Sequence, residues 1–70
     1  MEESECLAHL ADAIRDRARK RNVSVERLAD EAGVSRSMLW SVLACEHSPN
    51  VTWLLRVANA LSCRPRDLLP

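Results

Sequence analysis

A run of basic residues in the first third of the chain is its most distinctive chemical feature. Positions 15–21 hold five Lys or Arg and one Asp, whereas positions 1–14 hold four acidic residues and no basic one. The net charge is zero, but a local basic patch can still neutralise phosphate groups. A solvated helix face has the same composition, so both interpretations stand at this point.

The cysteine and histidine residues form no pattern that is typical of a metal site or of catalysis. The three cysteines, Cys6, Cys45 and Cys63, are widely spaced and form no C-x-x-C pair. Their odd number and spacing argue against a disulfide framework. The segment 45–47 combines Cys, Glu and His, but no further ligands follow at a familiar spacing. The histidines belong to no evident triad, and there is no Gly-rich phosphate loop. We therefore expect no metal, no cofactor and no enzymatic activity.

The sequence contains no segment that is typical of a membrane span or a signal peptide. The uncharged stretch 37–45 is far shorter than the roughly 20 apolar residues that cross a bilayer. The chain opens with acidic residues rather than with a basic start and an apolar run. We expect a cytoplasmic protein without membrane contact.

The apolar residues predict a single all-α domain over residues 1–70. They make up 47% of the chain, and Leu, Ala and Val dominate. Apolar residues at steps of three and four predict a first helix over 5–20, preceded by a disordered tail over 1–5. Three further helices are expected to begin after polar capping residues, and a short fifth one at Pro65. The expected caps are Ser24, Ser35 and Asn50.

The segment 24–43 predicts two short helices that cross at a steep angle around a tight turn. Ala29 is small where the helices approach closely, and Gly33 can adopt a positive φ angle in the turn. Val34 is expected to insert into the core. This arrangement is a helix-turn-helix whose recognition helix begins after Ser35.

The chain resembles the Cro/repressor-like (Xre) helix-turn-helix family over about residues 7–69. Four motifs in the family's order carry the resemblance, which implies a five-helix lambda-repressor-like bundle. They are Leu28-Ala29 with Gly33-Val34-Ser35, then Pro49-Asn50, then Leu54-Leu55-Arg56-Val57-Ala58-Asn59-Ala60-Leu61, and finally Asp67-Leu68-Leu69.

The sequence departs from the family at four positions that bear on its contacts. Val25 replaces a common Gln that touches the DNA backbone, and Trp40 stands where small polar residues are usual. Leu43 replaces a common Glu, and Cys45 replaces a common Gly. These departures affect the usual pattern of contacts more than they affect the fold.

The resemblance implies a sequence-specific regulator of transcription, expected to be a repressor, that inserts residues 36–44 into the major groove of duplex DNA. Arg36 is the strongest candidate for base contact, because its planar fork matches O6 and N7 of guanine. The base-contacting candidates are Arg36, Ser37, Trp40 and Ser41. The phosphate-contacting candidates are Arg19, Lys20, Arg21, Ser24, Ser48, Asn50 and Thr52.

A homodimer is expected, because two recognition helices about 34 Å apart read a partly palindromic site. The candidate dimer residues are Trp53, Leu55, Leu68 and Leu69, for which burial in the core is the other interpretation. Trp40 has three candidate roles: contact with thymine methyl groups, contact with a partner, and packing against the neighbouring loop.

A protein-interaction module on the same fold is the alternative function. The zero net charge, Val25, Trp40 and Leu43 all suit a surface that binds another protein, such as an antirepressor or a toxin partner. A regulatory protein partner is also compatible with the DNA-binding interpretation. We expect 70 residues to leave no room for a separate ligand domain, so control by a partner is favoured over control by a small molecule.

Overall fold

The computed structural model describes residues 2–70, and these residues form helices and no strands. This confirms the all-α prediction. α1 packs on α3, while α2 packs on both α3 and α4. The four α-helices are α1 (Glu3–Lys20), α2 (Val25–Ala32), α3 (Arg36–Leu43) and α4 (Val51–Ala60), and a 3₁₀ helix (Pro65–Asp67) follows them.

The predicted count of five helices is not confirmed. The last element is a single 3₁₀ turn, because its hydrogen bonds join residues three apart: the Leu68 N–H donates to Pro65 O at 3.0 Å. The Asp67 carboxylate accepts a hydrogen bond from the Arg64 N–H at 2.9 Å, which links the two ends of this turn. Leu68 then enters the core directly after the turn.

The disordered tail predicted over residues 1–5 is wrong for residues 3–5, which form the first turn of α1. Glu3 and Glu5 stabilise this turn, since negative charge is favourable at the positive end of the helix dipole. The Cys6 N–H donates to Glu2 O at 3.1 Å and completes it. Met1 lies outside the described residues.

All four α-helices contribute to one apolar core, and no polar or charged residue of the described chain is buried in it. Trp53 and Leu68 belong to this core, with 7% and 0% of their surface exposed, so the prediction that they form a dimer contact is wrong. Leu55 and Leu69 remain exposed. The largest fully buried side chains are Ile14, Leu28, Leu39, Val42, Val57 and Leu68.

The predicted N-caps are confirmed by their hydrogen bonds. Ser24 Oγ accepts from the Arg27 N–H at 3.1 Å, and Ser35 Oγ accepts from the Met38 N–H at 2.9 Å. Asn50 Oδ1 accepts from the Trp53 N–H at 2.8 Å. Each cap satisfies an N–H group that the first turn of a helix leaves without a backbone partner.

Cys45 occupies a strained position at the end of α3. Its φ is +61°, in the left-handed region where glycine is favoured, and the resemblance to Cro/repressor-like proteins implies that glycine is common at this position. We expect Cys45→Gly to raise the free energy of unfolding by about 0.5–1 kcal/mol, because the Cβ strain disappears at a modest entropic cost. Thermal unfolding should show an increase in Tm of about 2–8 °C.

The matched control for Cys45→Gly is Ala44→Gly. Ala44 precedes Cys45 and has a φ of −86°, which any residue adopts without strain. Glycine at position 44 should therefore lower the Tm, because it only adds freedom to the unfolded chain. Equal changes in the two variants would contradict the strain at Cys45.

No helix within residues 2–70 combines the length and the apolar character that a bilayer span requires. Over the same residues, no three His, Cys, Asp or Glu side chains group in an arrangement that could hold a metal ion.

Candidate nucleic-acid interface

The turn between α2 and α3 presents α3 at the surface. Gly33 ends α2 with φ +70°, and its N–H donates to carbonyl groups of α2. The Val34 N–H donates to Ala29 O at 3.0 Å, so the chain reverses tightly and Val34 packs against the core. A Cβ at position 33 would meet no neighbour, so glycine is favoured there by its backbone angle alone. The predicted helix-turn-helix is present.

One face of α3 is buried and the other faces solvent. Leu39, Val42 and Leu43 are in the core, which fixes the helix by its apolar side. The opposite face brings together all the predicted base-contacting residues, of which Ser41 is half-buried and the others are exposed. Trp40 is 46% exposed, so its indole is not buried against the neighbouring loop. The residues of this face are Arg36, Ser37, Trp40 and Ser41.

Arg36 forms an ion pair with Asp30 of α2. Its Nη2 lies 2.8 Å from Asp30 Oδ2, and its Nε lies 3.4 Å from Oδ1. The hydrogen bond from Arg36 lowers the pKa of Asp30, and Asp30 raises the pKa of Arg36 in return. Both groups are therefore charged at neutral pH, and the arginine at the start of α3 has a defined orientation.

The three basic residues predicted to contact phosphates at the end of α1 have different surroundings. Lys20 Nζ pairs with Asp16 at 3.0 Å and lowers the pKa of that carboxyl group. Arg21 Nη1 donates to Ala60 O at 2.6 Å and to Ser62 Oγ at 2.9 Å, which ties α1 to the end of α4. Arg19 makes no ion pair or side-chain hydrogen bond within residues 2–70, so it is the residue of the three whose charge is free.

Arg21 is separated from the predicted phosphate contacts at the start of α4. The 10 residues of α4 span roughly 15 Å at 1.5 Å per residue. Arg21 binds at the last turn of that helix, whereas Asn50 caps its first turn. The structure therefore does not bring Arg21 together with Ser48, Asn50 and Thr52.

Two shallow depressions lie beside helix starts. Arg19 and Ser24 line the first, at the start of α2, together with Arg15 and Val25. The second is lined by residues at the starts of both α3 and α4, and backbone N–H groups at such starts are suited to binding anions. Its lining residues are Gly33, Val34, Ser35, Met38, Asn50, Thr52, Trp53 and Arg56.

Two further arginines line these depressions: Arg15, which lies in the basic run 15–21 but was not among the predicted phosphate contacts, and Arg56, which the sequence did not single out. Arg15 donates from Nη2 to Leu43 O at 3.4 Å, and Arg56 donates from Nη1 to Gly33 O at 3.3 Å. Arg15 precedes Arg19 by one helical turn, and Arg56 follows Thr52 by one turn. These spacings of four residues place each arginine on the face of a predicted contact, and they were visible in the sequence.

A capped two-helix turn that exposes the polar face of its second helix is a helix-turn-helix motif, the arrangement by which many regulators present a helix to DNA. Residues 13–70 match the family described as the Cro/C1-type HTH DNA-binding domain. The chain belongs to this family, as its resemblance to Cro/repressor-like proteins predicted. The family and the fold are those of DNA-binding transcription regulators rather than of enzymes.

Solved structures with the same fold include three regulators. The restriction-modification controller protein C.AhdI from Aeromonas hydrophila is 27% identical, with a TM-score of 0.85 over 90% of this chain and 96% of its own. An HTH_3 family transcriptional regulator from Vibrio cholerae is 22% identical, with a TM-score of 0.88 over 96% of this chain and 38% of its own. The hypothetical transcription factor NHTF from Neisseria is 24% identical, with a TM-score of 0.90 over 100% of this chain and 80% of its own. No curated protein gave a match.

Proposed function

We propose that this protein is a sequence-specific repressor of transcription that inserts residues 36–44, which comprise α3 and its C-cap Ala44, into the major groove of duplex DNA. The main support for this proposal is that α3 has a buried apolar face and an opposite face with Arg36, Ser37, Trp40 and Ser41. An α-helix fits the major groove, and its early residues reach the base edges. The similar regulators come from bacteria, in which DNA lies in the cytoplasm, so we propose action in the cytoplasm.

The two depressions at helix starts support a division of labour between phosphates and bases. Ser24 and Arg19 at the start of α2, and Asn50 and Thr52 at the start of α4, are proposed to hold the DNA backbone. Ser48 is exposed just before α4 and joins the second group. Contacts of this kind fix the register of α3 in the groove without reading sequence.

Arg19→Ala is expected to weaken binding to every duplex by the same factor. Arg19 has no acidic partner within residues 2–70, so its charge is available to a phosphate, and its loss should reduce the slope of log K against log salt by about 0.9. Lys20→Ala is the matched control: it removes the same charge one position later, but from a residue that is paired with Asp16. Fluorescence anisotropy at several salt concentrations measures both slopes, and a smaller change for Arg19→Ala than for Lys20→Ala would contradict the assignment.

We propose a homodimer that uses Leu55 of α4 and Leu69 after the 3₁₀ helix. These leucines are 52% and 37% exposed, so their apolar surface is available to a second copy of the chain, and burial against it would be favourable. Sedimentation equilibrium with and without duplex DNA tests the proposal. The mass of a single chain in both conditions would overturn it.

Binding to duplex DNA is the direct test of the proposed function. Anisotropy of a labelled mixed-sequence duplex should rise with protein concentration, and the affinity should fall steeply between about 50 and 200 mM salt. Folded protein that leaves the anisotropy unchanged at the lower salt concentration would overturn the proposal.

A protein-interaction module is the second candidate function. The net charge of zero and the exposed indole of Trp40 favour it, because exposed aromatic side chains are enriched at protein interfaces. An antirepressor or toxin partner would then cover the α3 face. Salt-dependent binding to duplex DNA would argue against this alternative.

A further inference from the structure

An acidic residue lies beside the arginine that starts the recognition helix. Asp30 is in the last turn of α2, across the turn from α3, and its carboxylate accepts two hydrogen bonds from the Arg36 guanidinium. The side chains of Asp30 and Arg36 are 61% and 57% exposed. The ion pair therefore lies on the surface, next to the face of α3 that we propose to enter the groove.

The geometry of the pair leaves one edge of the guanidinium free. Asp30 occupies the edge formed by Nε and Nη2. Across residues 2–70, Nη1 of Arg36 donates to no protein atom, so the terminal edge formed by Nη1 and Nη2 still presents N–H groups. Such an edge can donate two parallel hydrogen bonds to O6 and N7 of guanine.

We propose that Asp30 is a positioning residue that directs the terminal edge of Arg36 toward a guanine and thereby sets base preference. The inference rests on the proposed function and names the residue that makes the base contact selective. A free arginine side chain has considerable rotamer entropy, and a carboxylate that binds its planar fork reduces the freedom that is lost on base contact.

The charge of Asp30 contributes to selectivity in a second way. Phosphate groups repel the carboxylate, so binding that places Asp30 close to the backbone is disfavoured. Removing the charge should therefore have opposite effects on the two components of binding. Non-specific affinity should rise, while the preference for guanine should fall.

Asp30→Asn tests the proposal because it removes the charge and keeps the size of the side chain. The readout is the ratio of Kd values for a preferred duplex and for one in which the contacted G·C pair is replaced. We expect Asp30→Asn to reduce this ratio about threefold to fivefold, the effect of losing an exposed ion pair. The affinity for the replaced duplex should increase.

Glu31→Gln is the matched control. Glu31 follows Asp30 on the same helix, is exposed, and pairs with Arg27 at 3.8 Å, so its substitution changes the charge by the same amount. We expect Glu31→Gln to strengthen binding to both duplexes alike and to leave the ratio unchanged. An equal loss of preference in both variants would overturn the role of Asp30.

A double-variant cycle separates positioning from a purely structural role. In the Arg36→Ala background, Asp30→Asn should leave the remaining Kd ratio unchanged, because the residue it positions is absent. The same reduction with and without Arg36 would overturn the proposal. Specific binding by the unchanged chain, with full preference retained in Asp30→Asn, would overturn this inference alone. No duplex binding by the unchanged chain would overturn the proposed function and the inference together.

Discussion

Arg36→Ala is expected to reduce the preference for the cognate site about fivefold to 150-fold, which is the discrimination that one bidentate arginine–guanine contact supplies. Arg36 is the first residue of α3, it is exposed, and its guanidinium is paired with Asp30. The loss should be concentrated at one base pair of each half-site, where the variant should accept all four bases. Competition binding against duplexes substituted at each position measures this pattern.

The control for Arg36→Ala is Arg66→Ala, which removes the same charge from an exposed residue of the 3₁₀ helix that is not among the proposed DNA contacts. It should leave base preference unchanged. Equal loss of affinity for all duplexes in Arg36→Ala, with no change in preference at any position, would contradict base contact by Arg36. That result would assign Arg36 to the phosphate backbone.

Leu68→Ala is expected to lower the free energy of unfolding by about 2–5 kcal/mol, the usual cost of removing a fully buried leucine side chain. Leu68 is 0% exposed and anchors the chain after the 3₁₀ helix to the core. A domain of this size has a total stability of only about 5–15 kcal/mol. Thermal unfolding followed by circular dichroism should therefore show a large decrease in Tm.

Leu69→Ala is the adjacent comparison for Leu68→Ala. Leu69 is 37% exposed, and its truncation should change the stability of the folded monomer by about 0.5 kcal/mol or less. A Leu68→Ala variant that keeps the original Tm but no longer self-associates would contradict the placement of Leu68 in the core. It would restore the dimer role that the sequence predicted for this residue.

The helices and their ends were largely predictable because their signals are local. Ser24, Ser35 and Asn50 each precede a segment in which apolar residues recur every three or four positions. Gly33 is the one glycine of the chain. The resemblance to Cro/repressor-like proteins added the order of the helices. At Cys45, comparison with the family showed that the residue is not the common glycine. The structure adds the physical consequence, because the φ angle of Cys45 is positive.

The details of the candidate site were less predictable because they depend on tertiary contacts. The Arg36–Asp30 pair joins two helices across a turn, and no helical spacing of three or four connects its members. Arg21 belongs to the same basic run as Arg19, yet it binds the end of α4, 39 residues away in sequence. Leu68 and Leu69 are identical neighbours after a three-residue helix, so no periodicity distinguishes the buried one from the exposed one.

Selection of bound duplexes from a random DNA library, followed by sequencing, tests the central claim most directly. The account predicts enrichment of an inverted repeat with a guanine in each half-site and a spacing of about one helical turn, 34 Å, between half-site centres. The same selection with Arg36→Ala should lose that guanine and keep the spacing. Folded protein that enriches no sequence at low salt would contradict the claim that α3 reads DNA.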